Sequence, residues 1–119
     1  MRYSISNLMW EAQEALRRLW FIRSMEEREV TANTISLRLY IRPDLFVEAF
    51  VSEWSGSIYF ALIEGAQRVF GIDWVDGEWH IHPYERPDQH QPLPEGLGPR
   101  PLLQFLARVE DLILQNELL

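Results

Sequence analysis

The sequence predicts an α+β domain in which an antiparallel five-stranded meander sheet is flanked by an N-terminal and a C-terminal helix. Near both ends of the chain, apolar residues recur every three or four positions, as in amphipathic helices. Between them, apolar and polar residues alternate, and short turns separate the alternating segments. Short turns join antiparallel strands, whereas parallel strands need long crossovers. The 119 residues, 47% of them hydrophobic, suffice for one domain spanning 1–119.

The N-terminal segment predicts an amphipathic helix with one apolar face. This face consists of Leu8, Met9, Ala12, Leu16 and Leu19. Ser4 or Ser6 can cap the helix, because a serine oxygen accepts a hydrogen bond from a first-turn amide. We expect the helix to end within residues 24–29.

Five segments in the middle of the chain predict strands, because they alternate or are continuously apolar and end at turn residues. The predicted strands are residues 35–42, 45–53, 58–64, 68–74 and 79–82. Gly65 and Ala66 suit a two-residue hairpin turn with glycine first, and Asp76 and Gly77 form the strongest hairpin signal.

The last third of the chain predicts a loop and a helix. Residues 84–101 include five prolines, and because proline costs little entropy to order, we expect an extended strap with a fixed path. Residues 102–116 predict the C-terminal helix. Its apolar face consists of Leu102, Leu103, Leu106, Val109 and Ile113, widened by Phe105 and Leu112.

The predicted turn at Asp76 and Gly77 fixes the register of the hairpin. The facing pairs are Trp74 with Trp79, Ile72 with Ile81, Asp73 with His80 and Gly71 with His82. Alternation then places the tryptophans and isoleucines on the core face and Asp73, His80, His82 and Gly71 on the other face. Gly71 leaves space beside His82.

The outer face of this hairpin carries the candidate active site. Cross-strand partners stand about 5 Å apart at Cβ, so the Asp73 carboxylate can reach and orient the His80 ring. An oriented imidazole suits general acid/base chemistry. The predicted catalytic residues are Asp73, His80, His82 and His90, with His80 as the general acid/base. A composite site requires His90 to lie within about 6 Å of the His80 and His82 pair.

Two other interpretations of these residues stay open. Aspartate–histidine pairs on the wet face of a hairpin often do no more than solvate the sheet. Alternatively, His80 and His82 have a spacing that suits a metal, with further ligands supplied by His90, Asp73, Glu85 or Asp88. The prediction itself includes no cofactor and no metal.

The composition excludes several kinds of chemistry. The chain has no cysteine and no lysine, so thiolate nucleophiles, cysteine zinc sites and Schiff-base mechanisms are excluded. The formal net charge of −7 argues against non-specific binding of nucleic acid, although Arg38, Arg42 and Arg68 can contact a phosphate locally. With no apolar run resembling a signal peptide or a membrane span, we expect a cytoplasmic protein without membrane contact.

Residues 45–53 and 58–64 are apolar on both strand faces, which predicts a partner. Two helices cover only one side of a sheet, so we expect a homodimer or another protein on the other side. Most tryptophans should pack in the core or an interface, whereas Trp54, beside a turn, should be partly exposed.

The run from Arg68 to His90, RVFGIDWVDGEWHIHPYERPDQH, resembles the TumE-like family of small bacterial and archaeal proteins, known as toxins of toxin–antitoxin pairs. The order of helix, meander, histidine cluster and final helix is also similar, and the resemblance covers residues 30–115. Asp73, His80, His82 and His90 occupy the positions of the family's polar signature.

This resemblance implies a toxin-like protein that acts on or near RNA and is held by a cognate antitoxin-like protein. By analogy, hydrolysis or transfer at an RNA phosphate is the expected reaction. The alternative function is a small non-enzymatic dimer that serves as a protein-interaction module. A third class, a metal-dependent hydrolase, follows from the metal interpretation of the histidines.

Overall fold

A computed structural model describes residues 2–119 and shows nine elements. The two helices are α1 (Ile5–Arg18) and α2 (Pro101–Asn116). The strands are β1 (Ser24–Val30), β2 (Thr34–Arg42), β3 (Leu45–Ser52), β4 (Ile58–Glu64), β5 (Gln67–Val75), β6 (Glu78–His82) and β7 (Gln91–Pro92). The strands form one antiparallel sheet in which each pairs with its neighbour in sequence. The α+β class and the antiparallel meander are therefore confirmed.

The predicted number of strands was wrong, because the sheet has seven strands and not five. Helix α1 ends at Arg18, and residues 24–30 pair with β2 as the edge strand β1 instead of finishing the helix. The sequence of β1 is SMEEREV, in which apolar and polar residues do not alternate. In the structure, Met25 is the one residue of this strand that is partly buried. Charges on an edge strand oppose pairing with other chains, and they also conceal the strand from pattern analysis.

The second additional strand, β7, lies within the proline-rich strap. Gln91 and Pro92 pair with Ile81 and His80 of β6. A proline has no N–H to donate to the ladder, so a sequence pattern gives no reason to expect a strand at that point. This short pairing fixes the strap to the edge of the sheet. The amide of Leu93 adds a bond to the carbonyl of Trp79 at 3.0 Å.

Both helices pack on one face of the sheet and enclose the core. The strand residues that point to this face are fully or nearly fully buried, in register from β2 to β5. They include Ile35, Leu37, Leu39, Leu45, Val47, Ile58, Phe60, Leu62, Phe70 and Ile72. Phe105 of α2 packs against Phe60 and stacks on Phe70. No helix of the described part of the chain lies on the opposite face. Neither helix is long and apolar enough to cross a membrane, within residues 2–119.

The hairpin turns follow the predicted positions, with one difference in type. Asp76 and Gly77 both have positive φ, as a type I′ turn requires. Gly65 and Ala66 also both have positive φ, at 56° and 68°. The second turn is therefore also of the I′ type, whereas a glycine-first turn would have left Ala66 at negative φ.

A buried carboxylate, Glu11, connects the two helices. It is only 2% exposed and accepts hydrogen bonds from the Tyr3 hydroxyl and, at 3.1 Å, from the amide of Leu103. That amide lies in the first turn of α2, whose own N-cap residue Arg100 makes no side-chain capping bond. Glu11 thus caps α2 from α1. Burial raises the pKa of Glu11, although the two hydrogen bonds oppose the change.

The raised pKa of Glu11 predicts a pH-dependent difference in stability between the wild type and Glu11→Gln. A carboxyl whose folded pKa exceeds its unfolded pKa contributes most stability at low pH and loses it as pH rises through the folded pKa. We expect the free energy of unfolding of Glu11→Gln to improve relative to wild type between about pH 4 and pH 7. Urea denaturation at both pH values measures this. A difference that moves the other way with pH would show that the hydrogen bonds to Glu11 outweigh its burial and that its pKa is not raised.

Candidate functional site

The hairpin of β5 and β6 has the predicted register. Asp73 faces His80, Gly71 faces His82, and Trp74 faces Trp79. Ile72 is fully buried in the core, and the two tryptophans pack against the core. The residues that alternate with them, Asp73, His80 and His82, therefore lie on the face that carries no helix.

The segment of residues 83–90, which includes the start of the strap, returns across this outer face and brings His90 to the hairpin. The ring centroid of His90 lies 4.2 Å from that of His80, with the two rings stacked, and 5.0 Å from that of His82. Both distances meet the criterion of about 6 Å for a composite site. We call Asp73, His80, His82 and His90 the histidine cluster.

Asp73 binds a different histidine from the one that the register suggested. Its Oδ2 lies 3.0 Å from Nε2 of His82, the diagonal neighbour, and not against His80. Diagonal cross-strand neighbours are within reach of longer side chains. Gly71, directly opposite His82, has no side chain, so the His82 ring lies beside it; a Cβ there would be 3.7 Å from His82 Cδ2. The expected orientation of His80 by Asp73 is thus replaced by a pairing of Asp73 with His82.

The Asp73 and His82 pair is buried under the strap. Each residue is 8% exposed. Nδ1 of His82 lies 3.2 Å from the carbonyl oxygen of Pro87, which also accepts a hydrogen bond from Arg68. Burial raises the pKa of Asp73, while the hydrogen bond from His82 and the nearby positive charge of Arg68 lower it. The pair is therefore a fixed, desolvated unit.

The two ring nitrogens of His82 are both engaged, so His82 has none left for a substrate. His80 differs: its Nδ1 is buried and has no hydrogen-bond partner among the described residues. Its Nε2 lies 3.5 Å from the exposed carboxylate of Glu78. His90 is exposed to solvent. An unsatisfied buried polar atom of this kind calls for a partner such as water, an ion or a substrate.

Three members of the histidine cluster have ligand atoms that converge. One ligand atom each from Asp73, His82 and His90 lie within 4.8 Å of one another. Glu85 and Asp88, which the sequence allowed as ligands, do not belong to this group within residues 2–119. His80 also lies outside it, although its ring stacks on His90.

Several features of the site could not be predicted from the sequence. The Pro87 carbonyl is a backbone group, and its position depends on the path of the strap. Arg68 reaches the outer face because a bulge shifts the register of β4 and β5 so that it faces Ile63. Tyr59 lies opposite Asp73 in the β4 and β5 ladder and is 40% exposed. Strand alternation alone could have indicated Tyr59.

The fold and the site together define a small α+β meander protein whose open sheet face carries a histidine–aspartate cluster. No protein-family model, no curated protein and no solved structure matches this chain.

Proposed function

We propose that this chain is a toxin-like component of a toxin–antitoxin-type module, similar to the TumE-like family, and that it acts on RNA. The histidine cluster would cleave or transfer a phosphodiester by general acid/base chemistry. The observation that carries this proposal is the convergence of three imidazoles and one carboxylate on the open sheet face, with ring centroids of His90 at 4.2 and 5.0 Å from His80 and His82.

The hydrogen bonds of the histidine cluster assign different roles to two pairs of its residues. His80 and His90 would transfer protons, because neither ring is fixed by hydrogen bonds at both nitrogens. One would accept the proton of the attacking hydroxyl, and the other would protonate the oxygen that leaves phosphorus. Asp73 and His82 hold the base of the site through their mutual bond and the Pro87 carbonyl. They are positioning residues in this scheme.

Two further residues beside the cluster suit a single-stranded nucleic acid. Arg68 donates to the Pro87 carbonyl at the edge of the site and can also meet a phosphate. Tyr59 pairs across the ladder with Asp73, and its ring lies 5.8 Å from that of Phe50. An exposed aromatic ring offers a stacking surface for a base. The net charge of −7 opposes broad electrostatic attraction to RNA, so binding would depend on these local contacts.

The experiment that tests this function combines a cellular and a purified assay. Induced expression should arrest growth of a host cell, and the purified protein should cleave single-stranded RNA. The matched control is the double variant His80→Ala/His90→Ala, which should do neither. Equal growth arrest by this variant, or intact RNA after incubation with folded wild type, would overturn the proposal. Relief of arrest by the product of an adjacent reading frame would identify the antitoxin-like partner.

Replacing Tyr59 with alanine tests the stacking surface. Stacking of one base contributes about 1–3 kcal/mol, so we expect KM for RNA to rise about 5- to 160-fold with kcat little changed. Trp54→Ala is the control, because Trp54 is 89% exposed, as expected from its turn, and lies outside the strands. Steady-state kinetics measure both. A fall in kcat at constant KM would place Tyr59 outside substrate binding.

A second candidate function is a non-enzymatic dimeric interaction module. It is favoured by the Phe50 and Tyr59 pair and by Ile63, which lie on the sheet face that neither helix covers. In that case two copies, or this chain and another protein, would bury these residues. Light scattering of the purified protein measures the assembly. A dimer dissociated by Tyr59→Glu, together with intact RNA, would favour this second function.

A further inference from the structure

We propose that Asp73, His82 and His90 form a site for one divalent transition-metal ion of the zinc type. This inference rests on the proposed function only in its consequence for RNA cleavage, since metal binding itself needs no RNA. The three residues come from β5, from β6 and from the strap. They are therefore brought together by the tertiary fold and not by a local motif.

The distance between the two buried donors suits a shared metal. Ligand atoms about 2.0–2.1 Å from a tetrahedral zinc ion are about 3.3 Å apart. Oδ2 of Asp73 and Nε2 of His82 lie 3.0 Å apart. All three ligand atoms lie within 4.8 Å of one another. The His90 side chain is exposed, so we expect its ring to turn toward the other two ligand atoms when a metal binds.

The surroundings of His82 match those of a metal-binding histidine. Such a histidine usually donates its second ring N–H to a backbone carbonyl or carboxylate, which fixes the tautomer and the ring orientation. Nδ1 of His82 has this partner, the Pro87 carbonyl at 3.2 Å. Nε2 of His82 donates its proton to Oδ2 of Asp73 at 3.0 Å, and a metal ion would take the place of that proton between the two atoms, because metal binding releases protons from its ligands.

The donor set selects the class of metal. Two imidazole nitrogens and one carboxylate oxygen suit zinc and neighbouring transition metals, whereas magnesium and calcium prefer oxygen alone. Three protein ligands leave a fourth position, as in catalytic zinc sites. The exposure of His90 places that position toward solvent. A metal held there would bind a phosphate oxygen beside His80, whose ring stacks on His90.

The test uses the full chain, stripped with a chelator and titrated with Zn²⁺ alone. Isothermal titration calorimetry should show one equivalent bound. His90→Ala should weaken binding by more than about 10- to 100-fold, because loss of a mere outer-shell partner of a ligand already costs about that much. His90 is exposed, so this variant is expected to fold, and circular dichroism confirms that. His80→Ala is the matched control, a histidine of the same cluster outside the ligand set, and should keep the wild-type affinity.

The outcomes separate this inference from the proposed function. Absence of Zn²⁺ binding to folded wild type, wild-type affinity in His90→Ala, or an equal loss in His80→Ala would each overturn the metal site. With Co²⁺ in place of Zn²⁺, the intense visible absorption of four-coordinate cobalt should appear in wild type and disappear in His90→Ala. If metal binds as expected but RNA stays intact, the proposed function fails and the metal site remains. If RNA is cleaved in excess chelator, the function stands without the metal.

Discussion

Gly96→Ala is expected to lower the free energy of unfolding by about 2–4 kcal/mol, the largest stability effect of a single methyl group that we predict. Gly96 lies in the strap with φ +59°, where a side chain is strained. A Cβ at this position would lie only 2.7 Å from Nε1 of Trp79 and would also overlap the adjacent ring carbon. Both the strain and the overlap must be relieved by moving the strap or the tryptophan.

Gly77→Ala is the matched control for this prediction. Gly77 has φ +78°, but no atom lies within 4 Å of a Cβ built there. Gly77→Ala should therefore lower the free energy of unfolding only by the cost of a side chain in this backbone conformation, about 1 kcal/mol. Urea denaturation of wild type and both variants measures the difference. Equal destabilisation by the two substitutions would show that the strap does not pack tightly on Trp79.

The packing of Gly96 on Trp79 matters for the site because the strap also carries His90. Leu93 and Leu97 are buried on either side of Gly96. With the short strand β7, these contacts fix the strap along the sheet edge, as the proline content suggested. A shift of the strap caused by Gly96→Ala should therefore also weaken Zn²⁺ binding, although residue 96 is not a ligand.

The sequence was most informative in elements that bury one face, because burial of one face produces a regular spacing of hydrophobic residues. The alternation of Ile35, Leu37, Leu39 and Ile41 identified β2, because each of these residues faces the helices. The turn at Asp76 and Gly77 then determined the hairpin register without any tertiary information. Strand β1 escaped detection for the opposite reason. Its side chains are mostly exposed charges, so no hydrophobic pattern distinguishes it from the end of a helix.

Only part of the candidate site could be predicted from the sequence, for physical reasons. The hairpin register and the alternation of side chains along each strand were sufficient to predict that Asp73, His80 and His82 lie on one face. The pairing of Asp73 with His82 depends on the orientation of the His82 ring. That ring lies beside Gly71 and is held by its contact with the Pro87 carbonyl. The approach of His90 depends on the path of an eight-residue segment, residues 83–90. Neither the partner of Asp73 nor the approach of His90 can be inferred from the spacing of hydrophobic residues along the chain.

His80→Ala is expected to reduce the rate of RNA cleavage about 10²- to 10⁴-fold, the usual range for loss of a general acid or base. His90→Ala should cause a similar loss, because the proposed reaction needs one group to accept a proton and one to donate it. Quantified cleavage of a single-stranded RNA substrate by the purified variants measures this. Cleavage rates near those of wild type in both folded variants would show that neither His80 nor His90 acts as a general acid or base.

Glu78→Gln is the control for His80, because its carboxylate lies 3.5 Å from His80 Nε2. The Glu78 side chain is largely exposed, so its contact with His80 should contribute little in water. We therefore expect a change of less than about threefold, which corresponds to about 0.6 kcal/mol. A loss as large as that of His80→Ala would instead make Glu78, and not the free Nδ1, the group that sets the function of His80.

The two histidines that transfer protons in this scheme differ in their relation to the metal, and this difference distinguishes the mechanisms. His80→Ala should lose cleavage and keep Zn²⁺, whereas His90→Ala should lose both. Excess Zn²⁺ should then restore part of the activity to His90→Ala if His90 acts as a ligand, and none if it acts by proton transfer alone. The response of this one variant to metal therefore decides whether the open face of the sheet works through paired imidazoles or through a bound cation beside His80.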